Sequence, residues 1–328
     1  KYFLQRNPTW EYIGASYQKD LQQLGAGKKL LENDNILNST FRRREADRLN
    51  SIESFRIFYN KDWNMGLSTQ LEARKRTLSP RGSLQYLKST ENGTTREVKG
   101  ISTTEISLYS HYAFKERYYT TSYQRFSLGS NYPVLDLNYT YGFDNFLGSD
   151  HGYQKLLGRI SHKVRIGYPG TFQYRIEAGK YWGKLPYPLL ELHDGNETYF
   201  LNTDAFNMMN YYEFVSDEYA SLFLTHHFEG LFFNRIPYLR RLKFRTVVSG
   251  KALVGSFKDA NREKMILPDQ LYTIQSEGDP FKKPYVEASV GIENILTFLR
   301  VDAVWRLSHL DHPNISPFGV RATVHFGF

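Results

Sequence analysis

The sequence predicts an all-β protein, a transmembrane antiparallel β-barrel with about thirteen strands in this chain. Three observations predict it. Apolar and polar residues alternate with period 2 in segment after segment, as expected of strands with water on one side only. Many of these segments run ten to fifteen residues, whereas soluble strands average about 5–6 and a tilted strand crossing a bilayer needs about 9–11. Finally, the chain ends on FGVRATVHFGF, where Phe318, Val320, Ala322, Val324, Phe326 and Phe328 share one face and Arg321, Thr323 and His325 the other.

Alternating segments lie at 11–18, 51–60, 64–76, 101–113, 117–128, 132–143, 155–168, 171–182, 212–229, 242–254, 286–293, 299–308 and 318–328. In 155–168, Leu156, Ile160, Val164 and Ile166 oppose Lys155, Arg159, Ser161, Lys163 and Arg165. In 171–182, Phe172, Tyr174 and Ile176 oppose Gln173, Arg175 and Glu177. In 299–308, Leu299, Val301, Ala303 and Trp305 oppose Arg300, Asp302 and Arg306. A row of four cations cannot be packed dry without partners, so these faces belong to a wet lumen. The opposite faces belong to lipid, where every backbone group must pair and a sheet can have no open edge.

Composition agrees. Aromatic residues make up 16%, with 25 Tyr and 23 Phe, which suits strands and interfacial girdles. No run of about 18 apolar residues offers a helical span. The absence of cysteine excludes disulfides, thiolate metal sites and cysteine nucleophiles. The net charge of +8 is spread over almost every strand rather than gathered in one patch, so nucleic-acid binding is not predicted. The opening KYFLQRNPTW lacks the apolar core of a signal peptide. Bacterial barrels usually have an even strand number. Thirteen is odd, so the single barrel domain, 1–328, is expected to be N-terminally incomplete, with fourteen or sixteen strands once upstream ones are added.

An aromatic C-terminal residue on such a strand, here Phe328 with Phe326, resembles the sorting signal of bacterial outer-membrane barrels. The resemblance implies recognition by the barrel-assembly machinery and a last strand ending at the periplasm. Counting back, YPG at 168–170 is a periplasmic turn, and 143–152, 184–210 and 256–283 are extracellular. On that count the long segments 19–50 and 77–100 fall on the periplasmic side, the first charged enough to suggest a short helix. YPLLELHDGNETYFLNTDAFNMMNYYEFVSDEYASLFLTHHFEGLFFNRIPYLRRLKFR (187–245) and PYVEASVGIENILTFLRVDAVWRLSHLDHPNISPFGVR (284–321) resemble the large Bacteroidota outer-membrane proteins of unassigned function. Those proteins carry an N-terminal carboxypeptidase-regulatory-like domain before a C-terminal barrel. Their barrel is distantly similar to the sixteen-stranded barrels of the assembly and translocation superfamily, in which an extracellular loop with an Arg-Gly-aromatic motif folds into the lumen. With three further strands upstream, 184–210 takes that loop's position. It contains HDGNETYFLN and no such motif, so insertase activity does not carry over.

The lumen-facing cations are Arg159, Arg165, Arg175, Arg245, Arg300, Arg306 and Arg321, with Lys155, Lys163, Lys243 and Lys251. Against these eleven stand four acids, Glu177, Glu287, Glu293 and Asp302. An open lumen with that excess prefers anions. The alternative is a lumen closed by ion pairs or by an inward-folded 184–210 loop bearing His193, Asp194, Asn196 and Glu197. RIPYLRRLKFR, with Arg235, Arg240 and Arg241, is a basic periplasmic turn that either anchors at the interface or docks an acidic partner. His226 and His227 are neighbours on a strand and point to opposite faces, as do Ser161 and His162. Asp144, Asp150, His151 and Glu191 are ordinary loop residues, and Asp194, Asn196 and Glu197 lack the ligand spacing of a calcium loop. No catalytic, cofactor or metal site is predicted.

The expected function is that of a non-enzymatic subunit in the Gram-negative outer membrane, acting in assembly, export or organisation of envelope proteins. The expected contacts are outer-membrane lipid and lipopolysaccharide, the assembly machinery during insertion, and other outer-membrane or periplasmic subunits. The competing expectations are a passive anion-preferring channel, a rim-site enzyme and, at the level of fold, a soluble β-sandwich binding module.

Overall fold

A computed structural model describes residues 1–6, 9–23, 48–89, 94–121, 125–274 and 283–324. Phe326, Phe328 and most of the charged 19–50 segment lie outside the described residues. In chain order the strands begin with β1 (Tyr2–Gln5), β2 (Glu11–Gln22), β3 (Arg48–Asp62), β4 (Leu67–Gly82), β5 (Leu87–Ser89), β6 (Thr95–Glu97) and β7 (Ile101–Ala113). They continue with β8 (Tyr118–Thr120), β9 (Arg125–Ser127), β10 (Val134–Gly142), β11 (Tyr153–Arg165), β12 (Thr171–Trp182), β13 (Glu191–Leu192) and β14 (Phe214–Ser216). The last are β15 (Glu218–His227), β16 (Arg245–Ser256), β17 (Tyr272–Thr273), β18 (Tyr285–Ile295), β19 (Leu299–Arg306) and β20 (Phe318–Val324).

Thirteen of these form one sheet in the order β1-β2-β3-β4-β7-β10-β11-β12-β15-β16-β18-β19-β20. All its pairings join sequence neighbours antiparallel once the short inserted strands are set aside. The lengths fit a bilayer: β3 has 15 residues, β4 16 and β11 13. The outward face carries Phe55, Ile57, Leu71, Ile106, Leu108, Leu135, Leu137, Ile176, Val248, Val290, Trp305, Phe318 and Val320, all exposed. A contiguous apolar belt of that extent marks a lipid-facing surface rather than a soluble one.

The sheet curls. Asn50 on β3 donates to the Tyr212 hydroxyl at 2.8 Å, and Arg321 on β20 donates to the Asn207 carbonyl at 3.0 Å. Tyr212 and Asn207 are five positions apart, at most about 18 Å of chain. A flat sheet would hold the third and thirteenth strands about 48 Å apart. Only a sheet rolled around the loop meets both contacts.

One expected strand is not in the sheet. Segment 117–128 supplies β8 and β9, which pair only with each other. The reason is local. Val134 of β10 pairs directly with Ala113 of β7, so 114–133 is left as an excursion beyond the ladder. Glu116 knots it, accepting from Tyr118, Ser127 and His111, and Arg125 reaches Asp62 at 2.6 Å. Removing this strand reverses the direction of everything upstream. Segments 19–50 and 77–100, expected at the periplasmic side, therefore connect strands at the same end as 143–152, 183–217 and 257–284. The tight turns, 63–66, 166–170 and 296–298, lie at the other end together with the longer connections 114–133 and 228–244, so the asymmetry usual in such barrels is partial. In the 166–170 turn, Gly170 sits at φ +105°, and a Cβ there would lie 1.9 Å from the His227 carbonyl oxygen, so no other residue fits.

The main apolar core lies among the long connections. Leu84, Tyr86, Leu185, Tyr187, Leu190, Leu192, Tyr212, Val215, Phe257 and Leu271 pack with the strand residues Leu78, Tyr153 and Tyr181. A second cluster, with Phe206, Met209, Phe214, Phe223, Leu253 and Tyr285, continues it downward between the strands.

Leu137 is 49% exposed on the outward face. Leu137→Arg should lower the unfolding free energy of the lipid-reconstituted protein by about 2–4 kcal/mol, measured by urea titration. A neutral result would mean that this face does not meet hydrocarbon.

Candidate functional site

Residues 183–217 join β12 to β15 and form a folded unit. A 3₁₀ turn (Tyr187–Leu189) leads into β13, which pairs with β14. β14 in turn pairs in parallel with β17 from the next connection. Two limbs run back to back. The Asn196 amide donates to the Met209 carbonyl and the Phe206 amide to the Asp194 carbonyl, both at 2.9 Å. Gly195 lies between them, where a Cβ would meet the carbonyl oxygens of Asn210 and Met209 at 2.5 and 2.6 Å. The glycine of HDGNE thus serves backbone approach. Asparagines close the tip: Asn196 Nδ2 donates to Asn207 Oδ1 and to the Phe200 carbonyl, both at 2.7 Å, and the Asn202 amide donates to Asn207 Oδ1 at 2.8 Å.

This unit is docked on the inner face by charge. Arg306 of β19 donates to both Glu213 oxygens, at 2.6 and 3.0 Å, and both side chains are almost fully buried. Glu287 of β18 accepts the Asn207 and Met208 amides at 2.9 and 3.0 Å. Lys251 of β16 bonds the Asn202 and Ala205 carbonyls and lies 3.5 Å from Glu287. Arg175 of β12 pairs with Asp204. At the far side, residues 199–201 run beside β20: the Leu201 amide donates to the Ala322 carbonyl at 2.8 Å, and the Ala322 amide to the Tyr199 carbonyl at 3.1 Å.

The residues singled out in sequence therefore separate into groups. Arg175, Arg306 and Arg321 hold the loop, as does Lys251. Arg159 pairs with Glu177 of the neighbouring strand at 2.8 Å, and Arg300 with Asp302 on its own strand at 2.7 Å and with Glu293 of β18 at 3.1 Å. Arg165 is exposed at the tight-turn end of β11. Arg245 is half-exposed at the start of β16 and bound to Glu229 at 3.0 Å, so it lines a mouth rather than the bore. Lys243, expected in the lumen, lies in the turn before β16, exposed and at φ +53°, because the strand begins at Arg245, later than its alternation suggests. Arg235, Arg240 and Arg241 are exposed on that same turn. His193, Asn196 and Glu197 are buried in the loop. Glu197 accepts the Tyr211 amide at 3.3 Å, and the Asp194 carbonyl belongs to the limb pairing.

His226 and His227 turn to different partners, the Pro169 carbonyl and Glu293. His162 bonds the Asn131 carbonyl. Among the described residues no three His, Asp or Glu side chains gather as a metal site. Sequence reasoning missed Glu213, Asp204 and Asn207, which do most of the docking. It also missed Glu72 and Glu105 on β4 and β7, the latter binding Arg74 and Arg76 at 2.8 and 3.0 Å. The signal for the loop was apolar density: LPYPLLEL and AFNMMNYYEFV are too greasy for a solvated connection.

Electrostatically the loop matches the face beneath it. Burial would raise the Glu213 carboxyl, but hydrogen bonds from His312 and Arg306 outweigh it and hold it below the ordinary carboxylate range. His193, level with the end of β12 and the start of β15, accepts or donates at Ser216 Oγ, 2.9 Å away. Burial pushes its imidazole down to about 4, against the opposing charge of Glu191. The arrangement acts as a stopper: loop carboxylates and carbonyls take up cations that would otherwise line an open bore. Beneath it only a small hollow of about 20 Å³ remains, lined by Asn207, Thr225, Ser249, Lys251, Glu287 and Arg300 among others.

Arg306→Met should leave the Glu213 carboxylate buried without its main partner and weaken loop docking by about 3–5 kcal/mol. Adding Glu213→Leu should recover most of that. Hydrogen exchange across 190–215 checks both. Acidification should act the same way. A folded-state pKa of about 4 against an ordinary 6.5 means that the His193 contribution is complete above 6.5 and lost as pH falls toward 4. The lowered Glu213 carboxyl is likewise lost on the acid side. Exchange of 190–215, corrected for intrinsic rate, should therefore quicken between pH 7 and 4.5, and less so in His193→Asn.

The crystal structure of BamA from Haemophilus ducreyi lacking POTRA domains 1–3 is similar to this chain, with a TM-score of 0.50 and 11% identity, over 97% of this chain and 61% of that one. The chain thus spans less than two thirds of that neighbour, and the likeness is one of fold: an outer-membrane-type β-barrel. No curated protein matches the sequence. Residues 4–260 match the C-terminal domain of a family of unknown function, DUF5686. Covering well over half of the chain, that match makes the protein a member of the DUF5686 family.

Proposed function

We propose that this chain is the barrel part of a Gram-negative outer-membrane protein, of the Bacteroidota type with a regulatory-like domain upstream, whose bore is stoppered by its own 183–217 loop. It acts without catalysis, as a subunit in the assembly, export or organisation of envelope proteins. The observation that carries this reading is the capture of Arg175, Lys251, Arg306 and Arg321 by loop groups. A conducting pore needs a wet path along its charged wall, and here a packed apolar and hydrogen-bonded unit lies across it. A rigid barrel with a folded cap suits a platform for other proteins.

The second reading, an anion-preferring channel, rests on the same cations. With the loop displaced they would line the bore unpaired and attract anions. Conductance separates the two. In planar bilayers the native chain should show little or no steady current, and Arg306→Met should open an anion-selective one. A large native conductance would refute the stopper and favour the channel. Isolation from the membrane in mild detergent should also bring down a stoichiometric envelope protein; a bare monomer would count against a platform role.

A further inference from the structure

The turn between β15 and β16, at the end opposite the loop, plays no part in the docking described above. Residues 228–244 are nevertheless folded. A 3₁₀ turn (Phe233–Arg235) and a helical turn (Pro237–Arg240) follow each other. The Asn234 amide donates to the Gly230 carbonyl and the Arg240 amide to the Ile236 carbonyl, both at 2.9 Å. Asn294 Nδ2, from the adjacent 296–298 turn region, pins the Lys243 carbonyl at 2.8 Å. The shape is therefore set by the protein itself.

Its surface is of two kinds. Phe232, Ile236, Leu242 and Tyr238, the last 88% exposed, project without cover. Tyr168 and Leu296 do the same on neighbouring tight turns. Interspersed are Arg235, Arg240, Arg241 and Lys243, all exposed and, among the described residues, in no ion pair. The turn's one acid, Glu229, is held by Arg245. Apolar side chains left bare at the level where membrane strands end continue the lipid-facing belt and belong at the bilayer interface. Unpaired guanidinium groups at that depth match phosphate diesters. An acidic protein would satisfy the cations but not this continuity with the belt.

We propose that the 228–244 turn is a binding site for anionic phospholipid in the leaflet opposite the loop. Arg235, Arg240, Arg241 and Lys243 engage the headgroup phosphates, and Phe232, Ile236, Tyr238 and Leu242 insert among the acyl chains. This goes beyond the stopper and does not depend on it. The test uses the full chain reconstituted in bilayers of phosphatidylglycerol and phosphatidylethanolamine in about equal parts, then extracted gently, with retained lipid measured by mass spectrometry. Phosphatidylglycerol should be enriched at least about fivefold over phosphatidylethanolamine. The triple variant Arg235→Gln, Arg240→Gln, Arg241→Gln should return the ratio to that of the bilayer, while the triple Arg→Lys variant keeps the enrichment. Heat-modifiable gel mobility verifies that each variant is folded. No enrichment in the native chain, or enrichment unchanged in the glutamine variant, overturns the proposal. So does a charge-dependent capture of an acidic periplasmic protein without lipid enrichment.

Discussion

A cation enclosed by protein and lipid must find a counter-charge, or it cannot stay. That constraint organises this molecule. Alternation turns one face of each long strand toward hydrocarbon and leaves the arginines of the other face in a confined space. On β11, β12, β18 and β19 some are answered from the adjacent strand, as Arg159 is by Glu177 and Arg300 by Glu293. The rest are answered by a loop. Glu213 and Asp204 bring charge to Arg306 and Arg175, and the carbonyls of Asn202, Ala205 and Asn207 accept hydrogen bonds from Lys251 and Arg321. The loop also needs the face: its amides at 207 and 208 have Glu287 as their acceptor.

Packing follows from that exchange. Once anchored, the loop carries enough apolar surface to build a core with the other long connections, around Tyr86, Tyr187 and Tyr212. The Tyr86 hydroxyl donates to Asn50, which donates in turn to Tyr212. The same unit thus touches the third and the thirteenth strand of the sheet, and the curl of the sheet is tied to the seating of its stopper. Strands and loop are two halves of one electrostatic arrangement.

The strands were legible because membrane strands obey a strict period and are long. The lipid face of β20, from Phe318 to Val324, could be read residue by residue. Segment 117–128 misled because it alternates as well as any strand. Only the direct meeting of Ala113 with Val134 shows that it stands outside the ladder, and pairing is not encoded in local pattern. Its inclusion sent two long connections to the wrong end. The lumenal charge count was incomplete for a related reason. It counted acids on the clearest strands, omitting Glu72 and Glu105, and left out Asp204 of the 184–210 loop and Glu213 of the 212–229 segment. Composition hinted otherwise, since Met208, Met209 and Phe214 flank them, but which cation each acid meets depends on how the loop folds back.

The most direct measurement is a cross-link between the loop tip and the last strand. The chain has no cysteine, so Phe200→Cys with Ala322→Cys introduces the only pair. These two positions face each other as bridge partners, within the separation a disulfide spans. Mild oxidation of the lipid-reconstituted protein should join them nearly completely at neutral pH, with neither single variant affected. Two thiols that stay unjoined, with the one at position 200 reacting quickly with a water-soluble maleimide, would place the loop outside the bore and contradict the account.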